Sequence, residues 1–381
     1  MKISSIEPTP SPHSMKINVN EQLPDGETLN FKLGDDLSDA PNYIVELFKI
    51  DGITNIYRVV DFITIARHPR VAWEEILPDV RATLGTEEKD ATVERSTNQN
   101  KADTSFGEVR VFVQMFRGIP MQVKLEEGDE ETRFGLPETF TNAVLKASPA
   151  SPNVIWERKW VEQHVRYGTV HDIGNEVVEE LAASYDQERL DQLVELAFQE
   201  QGTDEFEKAT AQNKITLETL DDPDWKVRYA ALDRLMNPTL KDLPVLDKAL
   251  DDERSSIRRL ATAYLGMIEE PEVLPSLYKA LQDKAANVRR TAGDCLSDLG
   301  FKEAMPEMIA TLTDENRIVR WRAAMFLYEM GDETAIPALR AALDDPEFEV
   351  RMQVNMALER IERGEEAEGS IWHQMIQATR E

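Results

Sequence analysis

The chain has 381 residues, of which 41% are hydrophobic, and this is enough for two or three domains with buried cores. Its formal net charge is −29, from 72 acidic and 43 basic side chains. Because such a surface repels phosphates, the balance argues against binding to nucleic acid or to an anionic membrane. A single cysteine excludes an intrachain disulfide. The sequence shows no membrane-length apolar run and no signal-peptide pattern, so we expect a cytoplasmic protein.

Residues 1–85 predict a small α+β domain. A stiff, proline-rich stretch at residues 7–14 comes first. Strand-like segments follow at residues 15–19 and 30–33, then a helix from Pro41, two paired strands and a final helix that begins near Val71. This order predicts one sheet packed with two helices.

Three motifs in this region resemble the N-terminal domain of the Nfu/NifU-like scaffold proteins. They are Glu-Pro-Thr-Pro-x-Pro with Met-Lys at residues 7–16, Leu-Phe-x-Ile-x-Gly-Ile at 47–53, and Asp-Phe-Ile-Thr at 61–64. In that family the iron–sulfur cluster is held by a Cys-x-x-Cys on a separate domain. The resemblance therefore implies a domain without cluster ligands, and a role near cluster assembly by analogy only.

Residues 86–105 are polar with almost no large apolar side chains, which predicts a flexible linker. Residues 106–185 then predict a second small α+β domain. Its alternating valines begin a strand at residue 109, a second strand covers residues 119–125, and a helix starts at Pro137.

Two tryptophans near basic residues lie later in this middle domain. Trp156 and Trp160 could stack on a base or cofactor, or they could line one helix face that packs on the sheet. No glycine-rich phosphate loop accompanies them, which favours the helix-face interpretation. His164 and His171 fit no standard ligand spacing, so we predict no metal site.

Residues 186–381 predict an all-α solenoid, with five repeats between about 208 and 364. Three residue types recur every 30 or 31 positions: an apolar residue followed by Arg, a Leu-x-Asp, and a proline. A fixed period of this size is typical of stacked helix pairs. We expect helices at residues 175–201 and around 371–376 to cap its two ends.

The repeats resemble HEAT-like repeats of the phycobilisome-lyase type, an α/α superhelix. The resemblance implies that the recurring Asp and Arg form an internal, structural ladder. A lyase or chromophore-binding role also follows from the name of that family, but similar repeats serve many functions. The ladder residues are Asp222, Asp252, Asp283, Asp314, Asp345, Arg228, Arg258, Arg289, Arg320 and Arg351.

One face of the second helix in each repeat, helix B, is expected to be exposed to solvent but carries large side chains. Counting from the apolar anchor, positions +2, +6 and +9 lie opposite the core stripe. Aromatic residues, Met and Arg there are typical of a binding surface. We therefore predict that this row lines a groove for a protein partner, or that the chain's own middle domain or tail covers it. The row consists of Tyr229, Arg259, Arg290, Trp321, Met325, Tyr328, Met352 and Met356.

We find no catalytic constellation, and we interpret Cys295 as core packing. The domain order resembles the conserved virulence factor C family, which implies a non-enzymatic protein that affects the expression of other genes. We predict an adaptor that binds protein partners through the HEAT-like groove, without cofactors, metals, nucleic acid or membranes. The alternative is an accessory protein in iron–sulfur cluster assembly that acts through the Nfu-like domain.

Overall fold

The computed structural model describes residues 1–9, 11–24, 27–85, 107–128, 130–199 and 215–365. The predicted linker at 86–105 and the predicted cap around 371–376 lie outside these residues. The chain divides into two compact units. One comprises Met1–Glu108 and Asp345–Gln353, and the other comprises Val109–Asp344 and Val354–Glu381.

The first unit contains the predicted α+β domain, a five-stranded antiparallel sheet with two helices. Its strand order is β1-β2-β5-β4-β3. The elements are β1 (Ile3–Pro8), β2 (Ser14–Val19), β3 (Thr28–Lys32), α1 (Asn42–Leu47), β4 (Ile53–Val59), β5 (Phe62–Arg67) and α2 (Trp73–Leu84).

The core of this unit lies between one face of the sheet and the two helices. Alternate side chains of β2 and β5 point into it, as the period of a strand requires. Trp73, at the start of α2, is fully buried, and its indole Nε1 donates a hydrogen bond of 2.9 Å to the carbonyl of Pro12. This bond anchors the proline-rich stretch against the helix.

Strand β1 was not predicted from the sequence, because its last residues fall in the proline-rich stretch. Among the described strands, β1 pairs with β2 alone and lies at one edge of the sheet. Proline is tolerated at an edge because the missing N–H interrupts no ladder there. Edge position therefore explains how a strand can end on Pro8.

Residues Asp345–Gln353 also belong to the first unit. Phe348 and Met352 pack against its hydrophobic core. Arg67 forms a buried ion pair with Glu349, with a distance of 2.7 Å from Nη2 to Oε1. These contacts are made by residues almost 300 positions apart in the sequence.

The second unit begins with the middle domain, a second antiparallel sheet. Its strands are β6 (Glu108–Phe116), β7 (Ile119–Glu127), β8 (Glu130–Gly135), β9 (Lys159–Glu162) and β10 (Arg166–Tyr167), and its helices are α3 (Glu138–Ala147), α4 (Val154–Glu157), α5 (Val170–Ser184) and α6 (Gln187–Ala197). The order is β10-β6-β7-β8, and β9 also pairs with β6. Helices α3, α5 and α6 cover one face of the sheet. The predicted domain boundary at residue 185 therefore falls between two helices, α5 and α6, that both pack on this sheet.

The repeats follow as nine helices between residues 225 and 362. They are α7 (Trp225–Asp233), α8 (Leu243–Ala249), α9 (Ser255–Gly266), α10 (Leu274–Leu281), α11 (Ala286–Leu299), α12 (Met305–Thr311), α13 (Arg317–Met330), α14 (Ile336–Ala341) and α15 (Phe348–Glu362). The recurring proline occupies the first turn of α8, α10, α12 and α14, where a missing N–H costs nothing. The fold class predicted from the sequence is thus confirmed.

Small residues let neighbouring helix-B elements approach closely. Ala261, Ala292 and Ala323 occupy equivalent positions in α9, α11 and α13, and all three are fully buried. Gly266 shows the same principle, because an added Cβ there would overlap the Sγ of Cys295. Cys295 itself is buried, and burial raises the pKa of its thiol.

Candidate functional site

The recurring Arg and Asp residues meet across repeat boundaries. Three of the ladder arginines, Arg228, Arg258 and Arg289, each extend to the aspartate of the following repeat and form two hydrogen bonds with its carboxylate. The Nε to Oδ2 distances are 2.7 Å for Arg228–Asp252, 2.6 Å for Arg258–Asp283 and 2.7 Å for Arg289–Asp314.

Each ladder residue also closes its own turn. The Nη1 of Arg258 donates to the backbone carbonyl of Asp252, in its own repeat, at 2.8 Å. The carboxylate of Asp283 accepts from the backbone N–H of Ala285 at 2.7 Å, just before α11. Each of these residues forms a hydrogen bond within its own turn and others to a neighbouring repeat. The ladder therefore couples the turn of one repeat to its stacking on the next.

The last ladder arginine ends differently. Arg351 donates to the carbonyl of Asp345 at 2.7 Å, as its counterparts do to theirs. Its Nη2 then binds Glu74 at 2.8 Å, and all three residues belong to the first unit. Glu74, on α2, thus provides the carboxylate that a following repeat would otherwise supply.

The predicted partner-binding row is only partly accessible. Tyr229, Trp321 and Met325 are buried, at 4%, 2% and 2% exposure. Arg259, Arg290, Tyr328, Met352 and Met356 are half-buried. The expectation that this row faces solvent is therefore wrong for the three buried residues.

The middle domain covers the first residues of the row. This agrees with the alternative prediction that the chain's own middle domain covers this surface. Helix α5 packs against α7, the helix B that carries Tyr229. Glu180 on α5 accepts a hydrogen bond of 2.9 Å from Nη2 of Arg259. Arg254 reaches Glu179, the preceding residue of α5, at 2.7 Å.

Glu180 is the centre of this contact. Its side chain is 6% exposed and also accepts a hydrogen bond of 2.6 Å from Nη2 of Arg166, on β10. Burial alone would raise its pKa, but the charges of Arg259 and Arg166 outweigh burial and hold the pKa at about 2. Although burial opposes the charge of Arg259, Glu180 raises the pKa of that guanidinium above its usual value. Both groups are therefore charged at neutral pH.

A second contact lies one repeat further along. The guanidinium of Arg290 stacks on the ring of Tyr167, from β10, with 3.9 Å between its Cζ and the ring centroid. Arg290 also pairs with Asp294 at 2.8 Å, and Asp294 pairs with Arg322 at 2.6 Å. The arginines of the row thus bind the chain's own middle domain.

Helix α13 carries large apolar side chains beyond the expected core stripe, and most of its length is buried. Ile318, Trp321, Ala324 and Met325 are buried together with the expected core residues. A helix that is apolar all round is typically buried all round. That pattern, and the acidic stripe Glu176, Glu179 and Glu180 on α5, were the sequence signals that the row prediction missed.

The two tryptophans of the middle domain do not share a helix, so the helix-face interpretation is wrong. Trp156 lies on the four-residue helix α4 and is 84% exposed. Trp160 lies on β9 and is half-buried, with Nζ of Lys124 at 5.2 Å from its ring centroid. The break comes at Arg158, whose backbone is extended.

Among the described residues, no group of three or more His, Cys, Asp or Glu side chains is placed to hold a metal ion. Over the same part of the chain, no helix combines the length and the apolar character needed to cross a bilayer.

Comparison with protein families matches three regions of the chain. Residues 3–89 match the scaffold protein Nfu/NifU N-terminal family, and residues 114–194 match a family described as virulence factor. Residues 213–292 and 277–359 match HEAT repeats. These matches define a class of protein that joins an Nfu-type domain, a virulence-factor domain and a HEAT-repeat region.

Full-length relatives identify the family. Conserved virulence factor C of Staphylococcus aureus is 48% identical over 381 residues, with 100% of both chains covered. Bacillus subtilis YpgR is 59% identical over 378 residues, with 99% of each chain covered. The chain belongs to the conserved virulence factor C family. Among solved structures, Staphylococcus aureus protein SAV1430 is 34% identical, at a TM-score of 0.21, and the match covers 22% of this chain and 98% of that one.

Proposed function

We propose that the protein is a non-enzymatic, cytoplasmic adaptor that binds another protein and uses its repeats as a rigid support. HEAT repeats suggest a role in protein interaction, and their Arg–Asp ladder continues across successive repeats. The partner surface is then the exposed part of the chain that this support orients. In this proposal neither cofactors nor nucleic acid take part.

The observation that carries the proposal is the buried contact of Glu180 with Arg166 and Arg259. Burying charges adds little net stability compared with apolar packing, but it requires one geometry. The contact therefore fixes the orientation of the middle domain on the first repeats. Fixed orientation of separate surfaces is what an adaptor requires.

The test is quantitative affinity purification of the full-length protein, expressed at its natural level in its own cell. We expect the wild type to retain one or a few proteins in near-stoichiometric amounts. Glu180→Lys should reduce this retention at least tenfold, because it places a third positive charge between two arginines. Glu188→Lys, an exposed position on α6, makes the same charge change and should retain the partner.

Circular dichroism of both variants checks that each is folded before retention is compared. A wild type that retains no protein above a tag-only control contradicts the adaptor proposal. Equal retention by the two variants would instead show that the orientation set by Glu180 is not needed.

A second candidate is an accessory role in iron–sulfur cluster assembly. Residues 3–89 match the Nfu/NifU N-terminal family, which favours it. The chain has one cysteine, which is buried, so it would not supply a cysteine pair of its own. Retained partners that are cluster-assembly proteins would support this candidate. Their loss in Leu33→Glu, at an exposed position of the first domain, would locate the contact there.

A further inference from the structure

The segment at residues 154–162, which comprises α4, Arg158 and β9, exposes three large apolar side chains. Trp156 is 84% exposed, Ile155 is 67% exposed and Val161 is 43% exposed. Tryptophan is rarely left this open, because burying it contributes strongly to stability. Large exposed apolar side chains grouped in one short segment typically mark an interaction site.

Hydrogen bonds on both sides hold this segment in place. Asn153 caps α4, and its side chain accepts from the backbone N–H of Ile155 at 3.1 Å. Glu157 accepts from Nε of Arg117 at 2.7 Å and from the hydroxyl of Ser151 at 2.7 Å. Trp156 is therefore presented on a fixed backbone, which lowers the entropic cost of binding.

The charge next to Trp156 is opposite to that of the whole molecule. Arg158 and Lys159 are both exposed, and neither forms an ion pair within the described residues. The one acidic residue between them and Trp156 is Glu157, which is neutralised by Arg117. In a chain of net charge −29, this leaves a small, free, positively charged site beside an aromatic side chain.

We propose that this segment binds an acidic peptide segment of a partner protein. Trp156 and Ile155 would pack on an apolar side chain of the peptide, and Arg158 and Lys159 would pair with its carboxylates. Trp and Arg are the side chains most enriched among residues that dominate binding energy. The proposal rests on the adaptor function and identifies where and what the adaptor binds.

The neighbouring face of the sheet favours a peptide over a nucleic acid. Its cations, Arg110, Lys124 and Arg133, are already paired with carboxylates, and the acidic partners are Glu126, Glu131 and Glu162. A phosphate backbone extending from Trp156 across this face would meet these three carboxylates, and the three cations beside them are already paired. An acidic peptide needs only the short, local cluster, since charges beyond ~8 Å are screened at physiological salt.

The test measures retention of labelled peptides by immobilised full-length protein. The probe is a degenerate 12-residue library in which Asp or Glu alternates with Leu or Phe. A matched library carries Lys or Arg at the same positions, and a single-stranded oligonucleotide serves as a competitor. We expect the acidic library alone to be retained. Trp156→Ala should weaken retention at least tenfold, as should Arg158→Glu combined with Lys159→Glu.

Two matched controls should leave retention unchanged. Leu33→Ala removes another exposed apolar side chain, and Lys241→Glu with Lys302→Glu makes the same charge change on exposed residues of the repeats. Equal retention of the acidic and basic libraries, efficient competition by the oligonucleotide, or no effect of Trp156→Ala would overturn the proposal. So would a change in oligomeric state caused by Trp156→Ala, because the occupant would then be a second copy of the chain.

A failure of the proposed peptide site can be distinguished from a failure of the adaptor function. If Trp156→Ala still retains the cellular partner and the acidic library is not bound, the site is wrong while the adaptor function stands. If the wild type retains no cellular partner, the adaptor function fails and this proposal fails with it.

Discussion

Glu180 accepts hydrogen bonds from two arginines that lie in different parts of the chain, Arg166 in β10 and Arg259 in α9. Its removal would leave two largely buried guanidinium groups without this carboxylate. Removing one member of a buried ion pair typically costs about 3–5 kcal/mol of unfolding free energy.

We expect Glu180→Gln to lower the unfolding free energy by about 3 kcal/mol, measured by urea denaturation. The double variant Glu180→Leu with Arg259→Met should recover part of this loss, because no charge is then left unpaired at that pair. Arg363→Met, which breaks an exposed pair with Glu359, is the control and should cost less than about 1 kcal/mol. A Glu180→Gln variant as stable as this control would contradict the assignment.

The same residue predicts a dependence on pH. The pKa of Glu180 falls from 4.5 to about 2 on folding, so the folded state binds its proton less readily than the unfolded state. Its contribution, about 3 kcal/mol, is therefore present above pH 4.5 and lost as the pH falls toward 2. Burial, with the charge of Glu180 adding to it, raises the pKa of neighbouring Glu176, which acts in the opposite direction.

Subtracting the stability of Glu180→Gln from that of the wild type isolates the effect. We expect this difference to shrink steadily between pH 4.5 and pH 2 in urea titrations. A difference that is constant over this range would show that Glu180 is not held charged by its arginines.

At the scale of elements, helix α5 approaches the sheet through Gly174. An added Cβ there would overlap the ring of Phe134 on β8. Alanine normally stabilises a helix interior by about 1 kcal/mol relative to glycine. Here we expect Gly174→Ala to destabilise the protein by about 1–3 kcal/mol, because the overlap forces α5 away from the sheet.

The sign of this change is the test, read from the midpoint of thermal unfolding. Gly135→Ala is the matched control, because an added Cβ at that position meets no neighbouring atom. A stabilising Gly174→Ala would show that α5 is not packed this closely.

The ladder between successive repeats should show energetic coupling. In a double-mutant cycle of Arg258→Met and Asp283→Asn, we expect a coupling energy of about 1–3 kcal/mol, because both side chains are largely buried. Asparagine is chosen because it keeps an oxygen to accept from Ala285. The same cycle at the exposed pair Arg363–Glu359 should give less than about 0.5 kcal/mol. Equal coupling at both pairs would contradict a structural role for the ladder.

At the scale of the whole molecule, local sequence patterns predicted the features of the fold that depend on contacts between residues close in the sequence. The period of the prolines and of the Arg and Asp residues predicted the repeats, because one repeat contacts mainly its neighbours. Alternating valines from residue 109 predicted β6, because side chains of a strand alternate between its two faces. The fold class could therefore be predicted almost completely.

The exposure of the helix-B row depends on contacts between segments that are distant in the sequence, and such contacts were predicted poorly. The exposure of Tyr229 and Arg259 cannot be judged from the face of a helix alone, since α5 lies about 50 to 80 positions earlier in the sequence. The acidic residues of α5 opposite the arginines of the row were the available signal. Trp156 was misassigned because four residues of helix and then a strand look, in sequence, like one helix.

Cross-linking mass spectrometry of the full-length protein with its retained partner identifies which surface of the chain binds that partner. With a lysine-reactive reagent, we expect intermolecular cross-links at Lys159 and at Lys146, both exposed in the middle domain. These links should disappear in Trp156→Ala, whereas links within the chain should persist. Partner links confined to lysines of the repeats, unchanged in Trp156→Ala, would contradict the claim that the middle domain presents the binding surface.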